Sequence, residues 1–173
     1  MGGGLFATPL VAKLNRDNIM KIFISYSTPD INLVQLFGNS LSSFGEIKYW
    51  AKDNIPGSES WETIFSWIDN SDVVLVLITG NTVSRAMSVG QEVGRAKTKN
   101  RLIIPIVEKS IPSTELGFLS GITYQPIDLS NPLPAVNSIT QIVQHLSIDK
   151  TQKQNAALIL AALGFFIWLL SEK

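Results

Sequence analysis

Two unbroken apolar runs, Val73–Ile78 and Leu102–Val107, constrain this chain more than any other feature. A strand with one wet face alternates apolar and polar residues, so a run with no polar position has to be covered on both faces. Sheets covered on both faces are parallel sheets whose crossovers carry helices, and the two runs therefore select the α/β class. Lys21–Ser25 reads as a first strand, and Thr28-Pro29-Asp30 supplies helix-starting chemistry ahead of Ile31, Leu33, Val34, Leu36, Phe37 and Leu41. Ile47–Trp50 reads as a second strand, 51–58 as a loop turning at Pro56-Gly57, and Trp61, Ile64, Phe65 and Ile68 as the apolar face of a helix. A helix around Glu92 separates the two buried runs, Ile122–Ile127 can close the sheet as an edge strand, and Pro132–Leu146 forms a last helix. The expectation is a doubly wound, flavodoxin-like sheet of five parallel strands with right-handed crossovers, occupying residues 20–147.

In such sheets ligands sit beyond the carboxyl ends of the strands, where the strand order reverses, so the loops after Ser25, Trp50 and Ile78 should converge. Glu92 is a lone acid in Ser88-Val89-Gly90-Gln91-Glu92-Val93-Gly94-Arg95-Ala96, early in the helix after the third strand, and is the first candidate for chemistry. Its structural alternative is an exposed helix acid paired with Arg95 or a neighbouring lysine. Fourteen basic and fourteen acidic side chains cancel, so nothing attracts nucleic acid in general. The cluster Arg95, Lys97, Lys99 and Arg101 falls where a helix C-terminus favours cations. Without cysteine and with His145 alone, thiolate nucleophiles, thiolate metal sites and His-rich metal clusters are excluded. No glycine-rich phosphate cradle follows the first strand.

Both ends differ from this body. Residues 1–19 begin Met1-Gly2-Gly3-Gly4 and lack the basic start of a secretory signal; with Met20 directly before the first strand, they are expected to be a dispensable N-terminal extension. Residues 148–155 are expected to be a linker. Ala156–Leu170 is an apolar run of fifteen residues, about 22 Å long as a helix against a hydrocarbon core of ~30 Å. Flanking lysines that snorkel extend its reach, and Ala157, Ala161 and Gly164 form a small-residue face. It is expected to be a single-pass C-terminal membrane anchor with the domain in the cytoplasm; a buried or oligomer-packing helix is the alternative.

The motifs Ile22-Phe23-Ile24-Ser25-Tyr26-Ser27, Trp50–Gly57 and Ser88–Ala96 followed by Ile103-Ile104-Pro105-Ile106 together resemble the Toll/interleukin-1 receptor (TIR) domain in its microbial form, over roughly Lys21–Leu146. The resemblance implies cleavage of the nicotinamide–ribose bond of NAD, giving ADP-ribose or a cyclised product, with NAD as substrate and neither metal nor cofactor required. It implies Glu92 as the catalytic glutamate, Ser25, Tyr26, Ser27 and Ser88 in the pocket lining, and Trp50, Lys52 and Asp53 at its border on a mobile loop. Many active relatives carry an aromatic ring four residues before the glutamate, where this chain has Ser88, so Trp50 or Tyr26 would have to supply that surface. The resemblance also implies homo-oligomeric TIR–TIR contacts that complete the pocket, in a defence pathway. Its competing implication is a non-catalytic adaptor that signals through the loop Asp53–Gly57, with Glu92 structural.

Overall fold

A computed structural model describes residues 19–50, 60–83 and 86–171, with only the backbone of the last helix described beyond Asn155. In chain order its elements are β1 (Met20–Ser25), a 3-10 turn (Thr28–Asp30), α1 (Ile31–Leu41), β2 (Gly45–Tyr49), α2 (Ser60–Asp69), β3 (Val73–Ile78), α3 (Gly80–Val83), α4 (Ala86–Thr98), β4 (Leu102–Glu108), β5 (Gln125–Ile127) and α5 (Leu133–Ser171). The strands form one sheet in the order β2-β1-β3-β4-β5, every pair parallel. The chain winds outward from β1 to β2, then returns past β1 to β3, so the order reverses between β1 and β3.

Side-chain alternation along the strands builds two cores. Ile22, Ile24, Leu75, Leu77 and Ile106 face Val34, Phe37 and Leu41 of α1 and Val136, Ile139 and Val143 of α5. Phe23, Val74, Val76, Ile78 and Val107 face Ile68 of α2 and Val89, Val93 and Ala96 of α4. All six residues of β3 are buried, as its composition demands. β4 departs from the expected full burial, because Leu102 is 44% exposed and only Pro105, Ile106 and Val107 are closed off. The cause is the short edge strand: β5 pairs only with Ile106–Glu108, leaving the first half of β4 at the margin. Pro105, which has no N–H for a ladder, lies in that marginal half. β5 in turn is shorter than Ile122–Ile127, since Gly121 takes a left-handed φ of 80° and Ile122 bonds back to the Leu119 carbonyl in a turn.

α5 runs without a break through 148–155, where a linker was expected. The stretch Asp149–Asn155 contains no glycine or proline to stop a helix. Lys150 also holds it to the sheet, donating to the Asp72 carboxylate at 2.6 Å and to the Ile19 carbonyl at 3.0 Å. Asp72 accepts the Lys21 N–H as well, at 2.8 Å, so α5 is tied to the amino ends of β1 and β3. Among the described residues no helix is long and apolar enough to cross a membrane. The side chains of Ala156–Leu170, on which the expected anchor depends, lie outside those residues, as do residues 1–18 of the expected extension 1–19. His145 is exposed on α5.

Two glycines give opposite expected outcomes. A Cβ at Gly45 would stand 2.4 Å from the Met20 carbonyl oxygen and 3.1 Å from its carbon, and neither atom is free to swing away. Gly45→Ala is expected to destabilise the fold by about 1–3 kcal/mol through this overpacking. At Gly94, inside α4, a Cβ meets nothing within 4 Å. Gly94→Ala should add about 0.5–1 kcal/mol by removing backbone entropy from the unfolded chain. Urea unfolding midpoints of both variants check the pair.

Candidate active site

The reversal point is held by a buried polar network. Asp30, 9% exposed at the end of the 3-10 turn, accepts hydrogen bonds from Thr79 Oγ1 at 2.7 Å and Asn81 Nδ2 at 2.7 Å. Ser27 Oγ donates to the Asn81 carbonyl at 3.1 Å, and Thr82 Oγ1 accepts the Thr79 N–H at 3.1 Å while donating to the Leu77 carbonyl at 3.2 Å. Asp30 makes no capping bond to α1, although its position before that helix suggested one. Its side chain instead joins the loop after β1 to the loop after β3.

Beside this joint opens a cavity of about 270 Å³. Ser25, Tyr26 and Thr28 enter it from the end of β1, Trp50 from the end of β2, Trp61 and Ile64 from α2, and Glu92 from α4. Of the loops expected to converge, the one after Ser25 reaches the cavity and the one after Ile78 braces it, while the loop that follows Trp50 lies outside the described residues.

Glu92 is 5% exposed. It occupies the inward stripe of α4, with Val89 one turn before it and Val93 and Ala96 after it, all packed against the sheet. Placing a carboxylate there costs free energy that an alanine or valine would not cost. The alternative of an exposed helix acid is thereby overturned. Arg95, its suggested partner, donates from Nε and Nη2 to the Asp69 carboxylate at 2.7 and 2.5 Å, in the bidentate geometry that favours a strong pair. This bond, with Lys99 Nζ adding charge at 3.4 Å, holds the Asp69 carboxyl below the usual carboxylate range.

The remaining expected site residues separate into three groups. Ser25, 2% exposed, lines the cavity, and its Oγ makes no hydrogen bond among the described residues. Tyr26 lines it too, donating its hydroxyl to the Trp50 carbonyl and meeting Tyr49 edge-on at 6.1 Å. Trp50 lines the cavity and packs on Trp67 with ring centroids 5.8 Å apart, so packing and lining coincide in one side chain. Ser27 is brought near but is spent in the Asp30 network, and Ser88, half-buried on α4, does not belong to the cavity lining. Lys52 and Asp53 lie outside the described residues. Thr28, Trp61 and Ile64 were not anticipated. The helical spacing of Trp61 and Ile64 pointed to packing, and the available signal was the position of Trp61 in the first turn of α2. Among the described residues no group of three His, Cys, Asp or Glu could hold a metal ion.

A family model described as TIR domain matches residues 22–143. Among solved structures, the chain is similar to the TIR domain of the Toll-related receptor TRR-2 from Hydra magnipapillata, with 20% identity, a TM-score of 0.53, and coverage of 72% of this chain and 98% of that one. It is also similar to the TIR domains of the activated Roq1 resistosome that directly recognises the pathogen effector XopQ, with 14% identity, a TM-score of 0.44, and coverage of 78% and 82%. No curated protein sequence matches.

Two side chains test the framework around the cavity. Asp30→Ala leaves the buried Thr79 hydroxyl without its acceptor and removes one acceptor from the exposed Asn81 amide, and is expected to cost about 1–3 kcal/mol, read from chemical denaturation. Asp69→Asn should lower the thermal midpoint at pH 7. Because the folded pKa of Asp69 lies below its ordinary 3.8, its contribution is complete above about pH 5 and is lost as pH falls through the folded value. The gap between wild type and variant should therefore hold steady above pH ~5 and close below about pH 4, and its size is limited by the partial exposure of the pair.

Proposed function

The chain belongs to the TIR domain family, and we propose that within it this protein cleaves NAD at the nicotinamide–ribose bond, with Glu92 as the catalytic carboxylate. The observation that carries this reading is the burial of Glu92 in the wall of a cavity shared with Ser25, Tyr26, Trp50 and Trp61. When the bond from ribose C1′ to the pyridinium nitrogen breaks, its electron pair goes to that nitrogen and nicotinamide leaves neutral. The ribose is left as an oxocarbenium-like cation. A carboxylate fixed beside it stabilises the charge as it develops, and does so more strongly in a low-dielectric cavity than in water. Water adding to C1′ and releasing its proton gives ADP-ribose; attack by a ring nitrogen of the adenine closes a cyclic product. Ser25 Oγ is free to bond a ribose hydroxyl or the carboxamide, and the Trp50 ring offers a flat apolar surface.

The cavity lies below the ~300–1,000 Å³ of sites that enclose a whole ligand, which favours completion by a second protomer and hence activation by self-association. Ser88, in the place of the ring found in many active relatives, favours a second reading: an adaptor that signals by TIR–TIR contact, with Glu92 structural.

Nicotinamide release from NAD, with and without a crowding agent, separates the two. Glu92→Gln keeps the shape of the side chain and is expected to lower the rate by at least about 100-fold with an unchanged circular dichroism spectrum. Equal NAD loss in both proteins, or none under any clustering condition, would remove the enzyme and leave the adaptor.

A further inference from the structure

Trp61 stands in the first turn of α2 and remains 36% exposed, a large apolar ring at the mouth of the Glu92 cavity. The same ring also borders an open outer groove that it shares with Phe65, Gln91, Gly94 and Arg95. It is thus the wall between the inner cavity and the surface path leading away from it. Its position is fixed from behind. Trp61 and Phe65 are stacked at a tilt of 43° with centroids 5.4 Å apart, and the Arg95 guanidinium lies 5.4 Å from the Phe65 ring centre. Arg95 is in turn held by both Asp69 oxygens. Each contact restricts the next: the ion pair orients the guanidinium, the guanidinium sits on Phe65, and Phe65 supports Trp61.

We propose that Trp61 is the platform on which the adenine base of the dinucleotide stacks as it leaves the Glu92 cavity, with Phe65, Arg95 and Asp69 as its positioning residues. The inference rests on the NAD reading and adds a specificity determinant to it. A dinucleotide is larger than a cavity of about 270 Å³, and Trp61, which borders both that cavity and the outer groove, is placed to meet the part that extends beyond it. An aromatic face accepts any stacked base because every base has a π-face. α2 thereby provides in space an aromatic surface that α4, with Ser88, does not provide in sequence.

The test compares NAD with nicotinamide mononucleotide, which carries the same scissile bond and no adenine. Trp61→Ala is expected to raise KM for NAD about tenfold more than KM for the mononucleotide, with kcat on NAD less affected than KM; Trp61→Phe should restore most of the difference and guards against misfolding of the alanine variant. Asp69→Asn should raise KM for NAD in the same direction, and the double variant should be no worse than Trp61→Ala alone. ADP-ribose titrated into Glu92→Gln protein, followed by tryptophan fluorescence, should bind about tenfold more weakly when Trp61 is also replaced by Phe's smaller neighbour in the series, alanine. If wild type cleaves NAD while Trp61→Ala shows unchanged KM, or loses NAD and the mononucleotide equally, the adenine platform is wrong and the enzyme stands. If wild type neither cleaves NAD nor binds ADP-ribose, the enzyme reading fails and takes the platform with it.

Discussion

The carboxylate of Asp30 is the joint on which the rest of the site depends. It lies where strand order reverses, and there the chain has a topological problem: the loops after β1 and β3 leave adjacent strands for opposite faces of the sheet, so no continuous backbone ladder keeps them in register beyond Ser25 and Ile78. Asp30 closes that gap with bonds to Thr79 and Asn81, and Ser27 and Thr82 complete the network. A satisfied buried network of this kind specifies one arrangement, because every alternative leaves a donor unpaired away from water. The consequence for the cavity is direct. Ser25 and Tyr26 enter it from one side of the joint, and the chain that runs on through α3 to α4 brings in Glu92 from the other.

Glu92 is the local cost within this framework. α4 has the apolar period of a helix that packs on a sheet, and at one inward position it carries an acid in place of an aliphatic residue. Sequences that specify a fold agree with themselves at each level, and departures of this kind are concentrated at sites that do chemistry. The neighbouring Arg95 is engaged elsewhere by Asp69, which is itself held as an anion by that bond. The strong ion pair of Arg95 with Asp69 therefore serves the α2–α4 contact.

How much of this was readable in the sequence follows from what each signal reports. The all-apolar run Val73–Ile78 reports burial on both faces, which only a central strand satisfies, and the parallel sheet followed from it. Ser25 and Trp50 were legible because strand ends are fixed by topology, Glu92 stood out as the lone acid of its segment, and Tyr26 was implied by the resemblance. Ser27 and Ser88 were not, since proximity to a rim does not say which way a short side chain turns. Asp30 read as a helix starter because local sequence shows the helix it precedes and not the loop, about fifty positions on, whose donors it accepts. Trp61 read as packing because period reports one face of a helix, and its ring lies at the edge of that face, where packing ends and the cavity begins. The helical stretch 148–155 was missed for a similar reason: what holds it is Lys150 on Asp72, a contact 78 positions distant.

That last contact also sets which way the molecule can be attached. The Glu92 cavity lies at the carboxyl ends of the strands, whereas Lys150 is fastened to Asp72 and the Ile19 carbonyl at their amino ends. In a parallel sheet these are opposite rims. α5 begins after β5, packs along α1 through Val136, Ile139 and Val143, and has reached the amino rim by Lys150. Whatever is engaged through the helix beyond that point meets the domain on the side away from the cavity and from Trp61. The cavity and the far part of α5 are thereby separated by the length of the sheet, and the central strands that carry the core also keep the two apart.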